Sequence, residues 1–207
     1  MKLTSYTAVC LIVAATALAA TPKFRSVWKT PEVSRLNFAG KKVAALVITD
    51  DQSLQMSGEE ALSRELSVRG VMASPTYRFV PREEMRDPER ARVWFERAGI
   101  EGVVAIRPLR LERSRESKAV VWSGYHQEFW GYYGHGWYSV TPVATYETST
   151  VVVETLVYDL TRNRLVWAAV SDAKDPRNLQ SFVTELIAGV VREMRKMNFV
   201  SQDAVRR

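Results

Sequence analysis

Apolar residues run without a break over Val43–Ile48 and then recur at helical spacing, which predicts a strand followed by a helix. A run of this length that ends in Thr49-Asp50-Asp51 is typical of a strand buried on both faces. Ser57 and Glu60 have the spacing of a capping box, which places the start of the helix at Ser57. Gly70 ends this helix, because glycine accepts the left-handed conformation past a helix end.

Two further strands, with a helix between them, are predicted downstream. Residues Val71–Val80 have the composition of a strand that bends at Pro75. Asp87 followed by a proline is typical of a helix start. The third strand covers 102–111, and Pro108 is expected to cause a bulge or to mark an edge position. The order strand, helix, strand, helix, strand predicts parallel strands with right-handed crossovers.

After residue 111 the pattern changes to antiparallel hairpins. A polar turn at 114–117 predicts one hairpin, and two β-branched runs, Thr150–Leu160 and Leu165–Ser171, predict a second. A last helix opens at Asp175-Pro176. Eight apolar side chains form a stripe along it: Leu179, Phe182, Val183, Leu186, Ile187, Val190, Val191 and Met194. This stripe predicts that the helix packs on the sheet.

Together these elements predict an α/β fold of the mixed α+β kind. Its sheet is mixed: a βαβαβ half is followed by antiparallel hairpins, and the long C-terminal helix packs on the sheet. The predicted organisation is a signal peptide at 1–20, a polar lead-in at 21–37, one domain at 38–200 and a loose tail at 201–207. Within the domain, 124–146 is expected to form a loop rich in glycine and aromatic residues.

The first twenty residues have the pattern of a secretory signal peptide. Lys2 is followed by an apolar run from 8 to 20, which is shorter than the roughly 20 residues that a membrane-spanning helix needs. Small residues at Ala17 and Ala19 predict cleavage after Ala19 or Ala20, which implies a periplasmic or secreted protein. An uncleaved membrane anchor is the alternative.

Cys10 is the single cysteine of the chain, and it lies inside the predicted signal peptide. The apolar run continues beyond it, so it is not placed as a lipid-attachment cysteine, and no lipid anchor is expected. Cleavage would leave no thiol for a disulfide, for catalysis or for a metal site.

The composition is that of a folded domain. Apolar residues make up 46% of the chain, which suits a packed core. The formal net charge is +6, but the basic residues alternate with acidic ones, so nucleic acid is not an expected partner. No cofactor is expected either, because the first strand is not followed by the glycines of a phosphate-binding loop. Peripheral association with a membrane is compatible with this charge, and the oligomeric state stays open.

The predicted loop at 124–146 is unusually rich in aromatic residues. Seven of its rings are candidate partner-binding residues: Tyr125, Phe129, Trp130, Tyr132, Tyr133, Trp137 and Tyr138. Rigid rings supply contact area at low entropic cost, so the loop is a candidate docking surface for a protein, a glycan or a lipid head group. The alternative is a hairpin or Ω-type loop that folds its rings over the domain's own sheet.

Two weaker patterns concern metal binding and catalysis. His126, Glu128 and His135 could together bind a metal, but their spacing follows no helix-borne ligand pair, so no metal is expected. Asp50 and Asp51 lie at the carboxyl end of the first strand, where open α/β sheets place ligands. Turn formation or helix capping is the alternative for these two residues. The chain has no Gly-x-Ser-x-Gly elbow, and no enzymatic activity is expected.

Five segments, taken in order, resemble one kind of bacterial protein. They are Val43–Thr49, Arg69-Gly70-Val71, Tyr132-Tyr133-Gly134, Tyr158-Asp159 and Leu165-Val166-Trp167, followed by a long terminal helix. Over 38–200 the chain is similar to a family of uncharacterised cell-envelope proteins of lipoprotein type. The α/β domain of that family is similar to the periplasmic domain of the curli secretion channel and to the N-terminal domain of the Tol-system periplasmic protein. The resemblance implies an envelope accessory or assembly role and carries over no catalytic residue, and Cys10 departs from its lipoprotein members.

These observations lead to one functional hypothesis and two alternatives. The chain is expected to be an exported envelope accessory protein, associated with the outer membrane, that binds an envelope protein or a glycan and does not catalyse a reaction. The alternatives are an envelope hydrolase that uses Asp50 or Asp51, and a module that binds peptidoglycan or another glycan.

Overall fold

A six-stranded mixed sheet organises the chain. The computed structural model describes residues 23–31, 36–109, 126–140, 150–174 and 179–201. The strands are β1 (Lys23–Lys29), β2 (Lys42–Val47), β3 (Met72–Pro75), β4 (Gly102–Leu109), β5 (Thr150–Asp159) and β6 (Arg164–Lys174). They lie in the order β1-β6-β5-β4-β2-β3. Strands β2, β3 and β4 are parallel to one another, whereas β5 pairs antiparallel with β4 and β6, and β6 pairs antiparallel with β1.

Helices cover both faces of this sheet. They are α1 (Gln52–Ser67), α2 (Pro88–Ala98), α3 (Phe129–Tyr138) and α4 (Leu179–Lys196). The apolar residues of α1 and α4 belong to one core cluster, on one face, and those of α2 and α3 belong to a second cluster on the opposite face. The predicted fold class, a mixed sheet with a βαβαβ half, an antiparallel part and a C-terminal helix on the sheet, is confirmed.

The alternation of side chains along β2 explains why both faces need a cover. Val43, Ala45 and Val47 point toward α1 and α4. Ala44 and Leu46 point toward α2 and α3. All five side chains are buried, as expected for a strand in the middle of a three-layer α/β/α arrangement.

Helix α1 begins five residues before the predicted capping box, and the prediction of its start at Ser57 is wrong. Asp51 is the N-cap, and its Oδ1 accepts the backbone N–H of Leu54 at 3.0 Å. Ser57 lies inside the helix, where its hydroxyl donates to the Leu54 carbonyl. A carboxylate directly after β2 satisfies the first free N–H groups, so the helix starts there. The start of α2 is as predicted, because Asp87 accepts the N–H groups of two residues in its first turn.

The predicted second strand is shorter than expected. Strand β3 ends at Pro75, and a short 3-10 helix (Thr76–Arg78) follows. The Thr76 hydroxyl donates to the Ala45 carbonyl at 2.8 Å, which holds this turn against β2.

The lead-in predicted at 21–37 contains a strand. Strand β1 pairs antiparallel with β6, with a register shift between Phe24 and Ser26. An edge strand tolerates charged and exposed residues, and Val27 is 51% exposed. The alternation of apolar and polar residues that predicts a strand is therefore weak in this segment.

Of the two settings predicted for Pro108 in β4, a bulge or an edge position, the structure shows the edge position. Strand β4 pairs with β5 in continuous register from Gly102 to Leu109, so no bulge interrupts it at Pro108. Pro108 lies beyond Ile106, the last residue of β4 in register with β2, and therefore costs no ladder bond on that side. The hairpin of β5 and β6 is confirmed, with its irregularity between Val157 and Tyr158.

The C-terminal helix is confirmed as a core helix. Seven residues of its predicted stripe are buried, from Phe182 to Met194, and the side chain of Leu179 is outside the described part. The chain stays in the core after the helix, because Phe199 and Val200 are buried and the Phe199 ring lies 5.7 Å from that of Phe38. Several predictions fall outside the described residues: the signal peptide, the hairpin at 114–117, the helix start at 175–176 and the tail beyond 201.

The centre of the predicted aromatic loop is a helix instead. Helix α3 turns Phe129, Tyr132, Tyr133 and Trp137 toward α2 and the sheet. Their spacing of three and four residues is the period of a helix buried on one face. The glycines suggested a loop, but burial of four rings outweighs a cost of about 1 kcal/mol for each glycine in a helix.

The close approach of α3 to the sheet is testable at two glycines of that helix. A Cβ at Gly136 would lie 2.7 Å from Ile48 Cδ1, whereas a Cβ at Gly134 would lie 3.4 Å from Pro88 Cγ, an ordinary contact. We expect Gly136→Ala to lower the free energy of unfolding by roughly 1–2 kcal/mol, because overpacking outweighs the gain in helix propensity. Gly134→Ala should be neutral or stabilising. Urea unfolding measures both, and equal effects of the two substitutions would contradict this packing.

Candidate functional site

A crevice opens at the carboxyl ends of β2 and β3. The chain leaves β2 toward α1 on one face of the sheet and leaves β3 toward α2 on the other face. Such a divergence of connections is where open α/β sheets bind their ligands. The crevice has a volume of about 180 Å³ and is lined from α1, from the segment between β3 and α2, and from α3.

One wall of the crevice is apolar. It is formed by Met56 of α1, by Val80 and Met85 after β3, and by Trp137 of α3. The Arg86 guanidinium lies over the Trp137 ring, 5.7 Å from its centroid. This cation–π contact places a positive charge directly beside the apolar wall.

The rim of the crevice is polar. Gln52 and Gln55 come from the first turn of α1, and Asp50 and Arg82 come from the two loops that diverge. Asp50 and Arg82 are exposed, and neither side chain makes a hydrogen bond or an ion pair with any residue that the structure describes. Both side chains therefore have their full bonding capacity available to a ligand.

A buried carboxylate fixes the floor of the crevice. Glu59 of α1 accepts the backbone N–H of Val47 at 3.1 Å and that of Tyr77 at 2.8 Å. The Gln55 side-chain amide donates to the same carboxylate at 3.2 Å. Glu59 thus joins the ends of β2 and β3 to α1. Its burial raises its pKa from 4.5 to about 7, although the donated hydrogen bonds from Tyr77, Val47 and Gln55 lower it.

A second polar cluster lies beneath α3, on the face of the sheet that α2 and α3 cover. Arg107 Nε of β4 donates to Glu154 Oε1 of β5 at 2.5 Å, and Arg107 Nη1 donates to the Ser139 hydroxyl at 2.8 Å. His126 Nε2 lies 3.8 Å from Glu154 Oε2, and the His126 ring stacks on that of Tyr132. Arg107 and Glu154 are 6% and 2% exposed, so this ion pair is fully desolvated. The cluster attaches the C-terminal end of α3 to the sheet.

Burial also acts on the tyrosines and the histidine of α3. It raises the pKa of Tyr132, and the charge of Glu154 raises it further. It raises the pKa of Tyr133, whose hydroxyl donates to the Met85 carbonyl. Desolvation lowers the pKa of His135, and the Arg107 charge adds to this effect. Both tyrosines therefore stay neutral near pH 7, in agreement with a structural role.

The structure separates the seven predicted partner-binding residues into three groups. Phe129, Tyr132, Tyr133 and Trp137 are buried, at most 6% exposed, because they pack on α2 and the sheet. Trp130 is half-buried under the Arg92 guanidinium, and Tyr138 is 92% exposed. Tyr125 lies outside the described residues. The expectation of one exposed aromatic surface is therefore corrected for the four buried rings, and partner binding by the segment stays a prediction.

The residues considered for metal binding and for catalysis do not form one site. His126 is buried beside Glu154, whereas Glu128 and His135 are exposed. Within the described ranges no three His, Cys, Asp or Glu side chains form a group that could hold a metal ion. The Asp51 carboxylate is occupied as the cap of α1, the role given as its alternative, and Asp50 lies on the crevice rim.

Sequence reasoning identified Asp50 but missed the other side of the crevice. Arg82, Arg86 and Glu59 have no local motif that distinguishes them from other charged residues. Arg82 and Arg86 line the crevice together with Asp50 only because two crossovers leave the sheet on opposite faces, and Glu59 lies buried behind it.

Comparisons with known proteins were made by family model, by sequence and by structure. No family model and no curated protein matches the chain. A point variant of PelC from Paraburkholderia phytofirmans, a dodecamer, is similar in structure with a TM-score of 0.42 and 15% identity, covering 87% of this chain and 99% of PelC. A second PelC dodecamer structure from the same organism has a TM-score of 0.43 and 14% identity, covering 86% and 97%. This likeness is too distant to carry an inference about function.

Of the helices in the described ranges, none combines the length and the apolarity that a membrane crossing requires.

Glu59 predicts a distinct pH dependence of stability. Its pKa is higher in the folded chain than in the unfolded one, so between about pH 4.5 and 7 the folded state binds more protons. The contribution of Glu59 to the free energy of unfolding is therefore complete below pH 4.5 and falls as the pH rises to 7. We compare the free energy of unfolding of the wild type with that of Glu59→Gln. We expect the difference, wild type minus variant, to decrease by on the order of 3 kcal/mol between pH 4.5 and pH 8 in urea unfolding.

A matched control for this measurement is Glu83→Gln. Glu83 is exposed and makes no hydrogen bond or ion pair within the described residues, so its removal should leave the pH profile unchanged. A Glu59→Gln profile parallel to that of the wild type would show that Glu59 does not titrate in this window.

The buried ion pair under α3 predicts non-additive substitutions. Arg107→Met leaves the Glu154 carboxylate buried without its closest cation, at a cost of roughly 3–5 kcal/mol. Adding Glu154→Leu should recover part of that loss, because the double variant buries no charge in this pair. Unfolding free energies of the four chains measure the coupling, and additive effects would mean that the pair does not stabilise the fold.

Proposed function

We propose that this protein is exported and acts by binding a component of the cell envelope, a protein or a glycan, in the crevice at the ends of β2 and β3. The observation that carries the proposal is the crevice itself. It combines an apolar wall, in which Met56 is the exposed residue and Trp137 contributes an edge, with available polar side chains at Asp50 and Arg82. An apolar surface with a few converging polar side chains is the usual composition of a ligand site.

The lining of the crevice favours binding over catalysis. Hydrolysis of a glycan by the usual mechanism needs two carboxylates at matched positions. Asp50 is the only carboxylate among the described residues that line the crevice, and no histidine is among them. The neighbouring Asp51 carboxylate is engaged with the Leu54 N–H. A hydrolase that used this aspartate pair would lack a free second carboxylate, so a non-catalytic role is the simpler interpretation.

Export is the second part of the proposal. It is supported by the sequence pattern of residues 1–20, which predicts cleavage after Ala19 or Ala20. The resemblance to envelope proteins with a domain like that of the curli secretion channel or the Tol-system protein agrees with this location and stays a prediction. A periplasmic or secreted protein meets envelope proteins and glycans, the two partner classes that the crevice would bind.

Site-specific photocrosslinking in intact cells tests the proposal. We expect p-benzoylphenylalanine in place of Met56, which is 37% exposed on the crevice wall, to form an adduct with an envelope component. The same group in place of Val93, which is 43% exposed on α2 and away from the crevice, should form none. Mass spectrometry of the adduct should also show a chain that lacks residues 1–19 or 1–20.

Two outcomes would contradict the proposal. Equal adducts at Met56 and Val93, or none at Met56, would remove the crevice as the contact site. An untrimmed chain in the soluble cytosolic fraction would remove export.

A further inference from the structure

We infer that the crevice binds an acidic sugar unit, a hexose ring that carries a carboxylate, as part of an anionic glycan. This inference rests on the proposed function, because it names the ligand class of the same site. It follows from three properties of the crevice: its charge, its size with an apolar wall, and the polar groups of its rim.

The charge of the crevice favours an anionic group. Two of the lining residues are arginines, Arg82 and Arg86, and one is an aspartate, Asp50. Arg86 is held over the Trp137 ring by a cation–π contact, which does not neutralise its charge. Arg82 makes no ion pair in the described part of the chain. A guanidinium binds a carboxylate through two parallel hydrogen bonds, so this pair of arginines suits a ligand carboxylate.

The size and the apolar wall of the crevice favour a single ring. Its volume of about 180 Å³ is smaller than the roughly 300–1,000 Å³ of sites for drug-sized ligands. A crevice of this size admits one unit of a longer chain. The C–H face of a sugar ring is apolar and can pack on Met56, which is 37% exposed, and on the edges of Met85 and Trp137, of which only 5% and 6% are exposed.

The rim of the crevice favours hydroxyl groups. Gln52 and Gln55 offer amide groups, and the Gln55 carbonyl oxygen stays available because only its Nε2 is used by Glu59. Asp50 can accept hydrogen bonds from ring hydroxyls, and it would repel a second carboxylate placed beside it. A simple carboxylate without hydroxyl groups would make no hydrogen bonds with these rim side chains, which would stay hydrated. The rim therefore selects a polyhydroxylated ring over a plain organic acid.

Titration of three small probes into the purified full chain tests the inference. The probes are D-glucuronate, D-glucose and acetate, and binding is followed by the indole N–H resonance of Trp137, assigned with Trp137→Phe. We expect D-glucuronate to bind with about tenfold preference over D-glucose, the effect of one charge-assisted contact. Acetate should bind more weakly than D-glucuronate, because it makes no contact with Asp50 or the glutamines.

Arginine variants test directly whether the crevice recognises the carboxylate of the ligand. Arg82→Gln and Arg86→Gln together should abolish the preference for D-glucuronate over D-glucose. Arg64→Gln is the matched control, because Arg64 is an exposed arginine of the same helix as Gln52, about 18 Å along its axis. These arginines make no ion pair in the described structure, so we expect each variant to fold. Circular dichroism checks this.

Each other outcome overturns the inference. D-glucose binding as tightly as D-glucuronate, or arginine variants that keep the preference, would exclude recognition of the carboxylate. Acetate binding as tightly as D-glucuronate would exclude recognition of the ring, and no response to any probe would exclude the ligand class. If any of these results occurs while Met56 still forms a photoadduct in cells, only the assignment of an acidic sugar is refuted. Absence of that adduct would refute the proposed function.

Discussion

Strands β2 and β4 are apolar on both faces, and this constraint governs the rest of the structure. Side chains that alternate between two buried clusters require a helical layer on each side of the sheet. The chain meets the requirement by sending the crossover after β2 over one face and the crossover after β3 over the other. The two connections diverge at the carboxyl ends of the strands, and the crevice is the space between them. The candidate site is thus a consequence of how the core is covered.

Two contacts made by buried charged groups lie where the layers meet these strand ends. Glu59 joins α1 to the ends of β2 and β3, and the Arg107–Glu154 pair joins β4 and β5 to the end of α3. Desolvation opposes both arrangements, and each is offset by hydrogen bonds at defined distances. A buried polar group tolerates few geometries, because any shift leaves a donor or an acceptor unsatisfied. These two contacts therefore set the positions of α1 and α3, the helices that line the crevice together with the segment between β3 and α2.

Much of the fold followed from local patterns, and the exceptions have identifiable causes. The strand at Val43–Ile48, the cap at Asp87, the hairpin of β5 and β6 and the stripe of α4 are all read from residues close in sequence. Helix α3 was missed because its glycines have low helix propensity, although its rings recur at helical spacing. Strand β1 was missed because an edge strand needs little apolar alternation. In both cases long-range packing decided the local conformation.

The amino-acid sequence by itself determined the fold class, the parallel half of the sheet and the position of Asp50 at a strand end, because each depends on the period of apolar residues or on a local cap. Only the tertiary structure decided that Arg82, Arg86 and an edge of Trp137 meet Asp50 around one crevice. It also decided that the predicted docking rings of Phe129, Tyr132 and Tyr133 are fully buried. The residues that line the crevice are far apart in the chain and have no shared spacing. Their proximity arises from the direction of two crossovers and the packing of α3, which depend on the whole core.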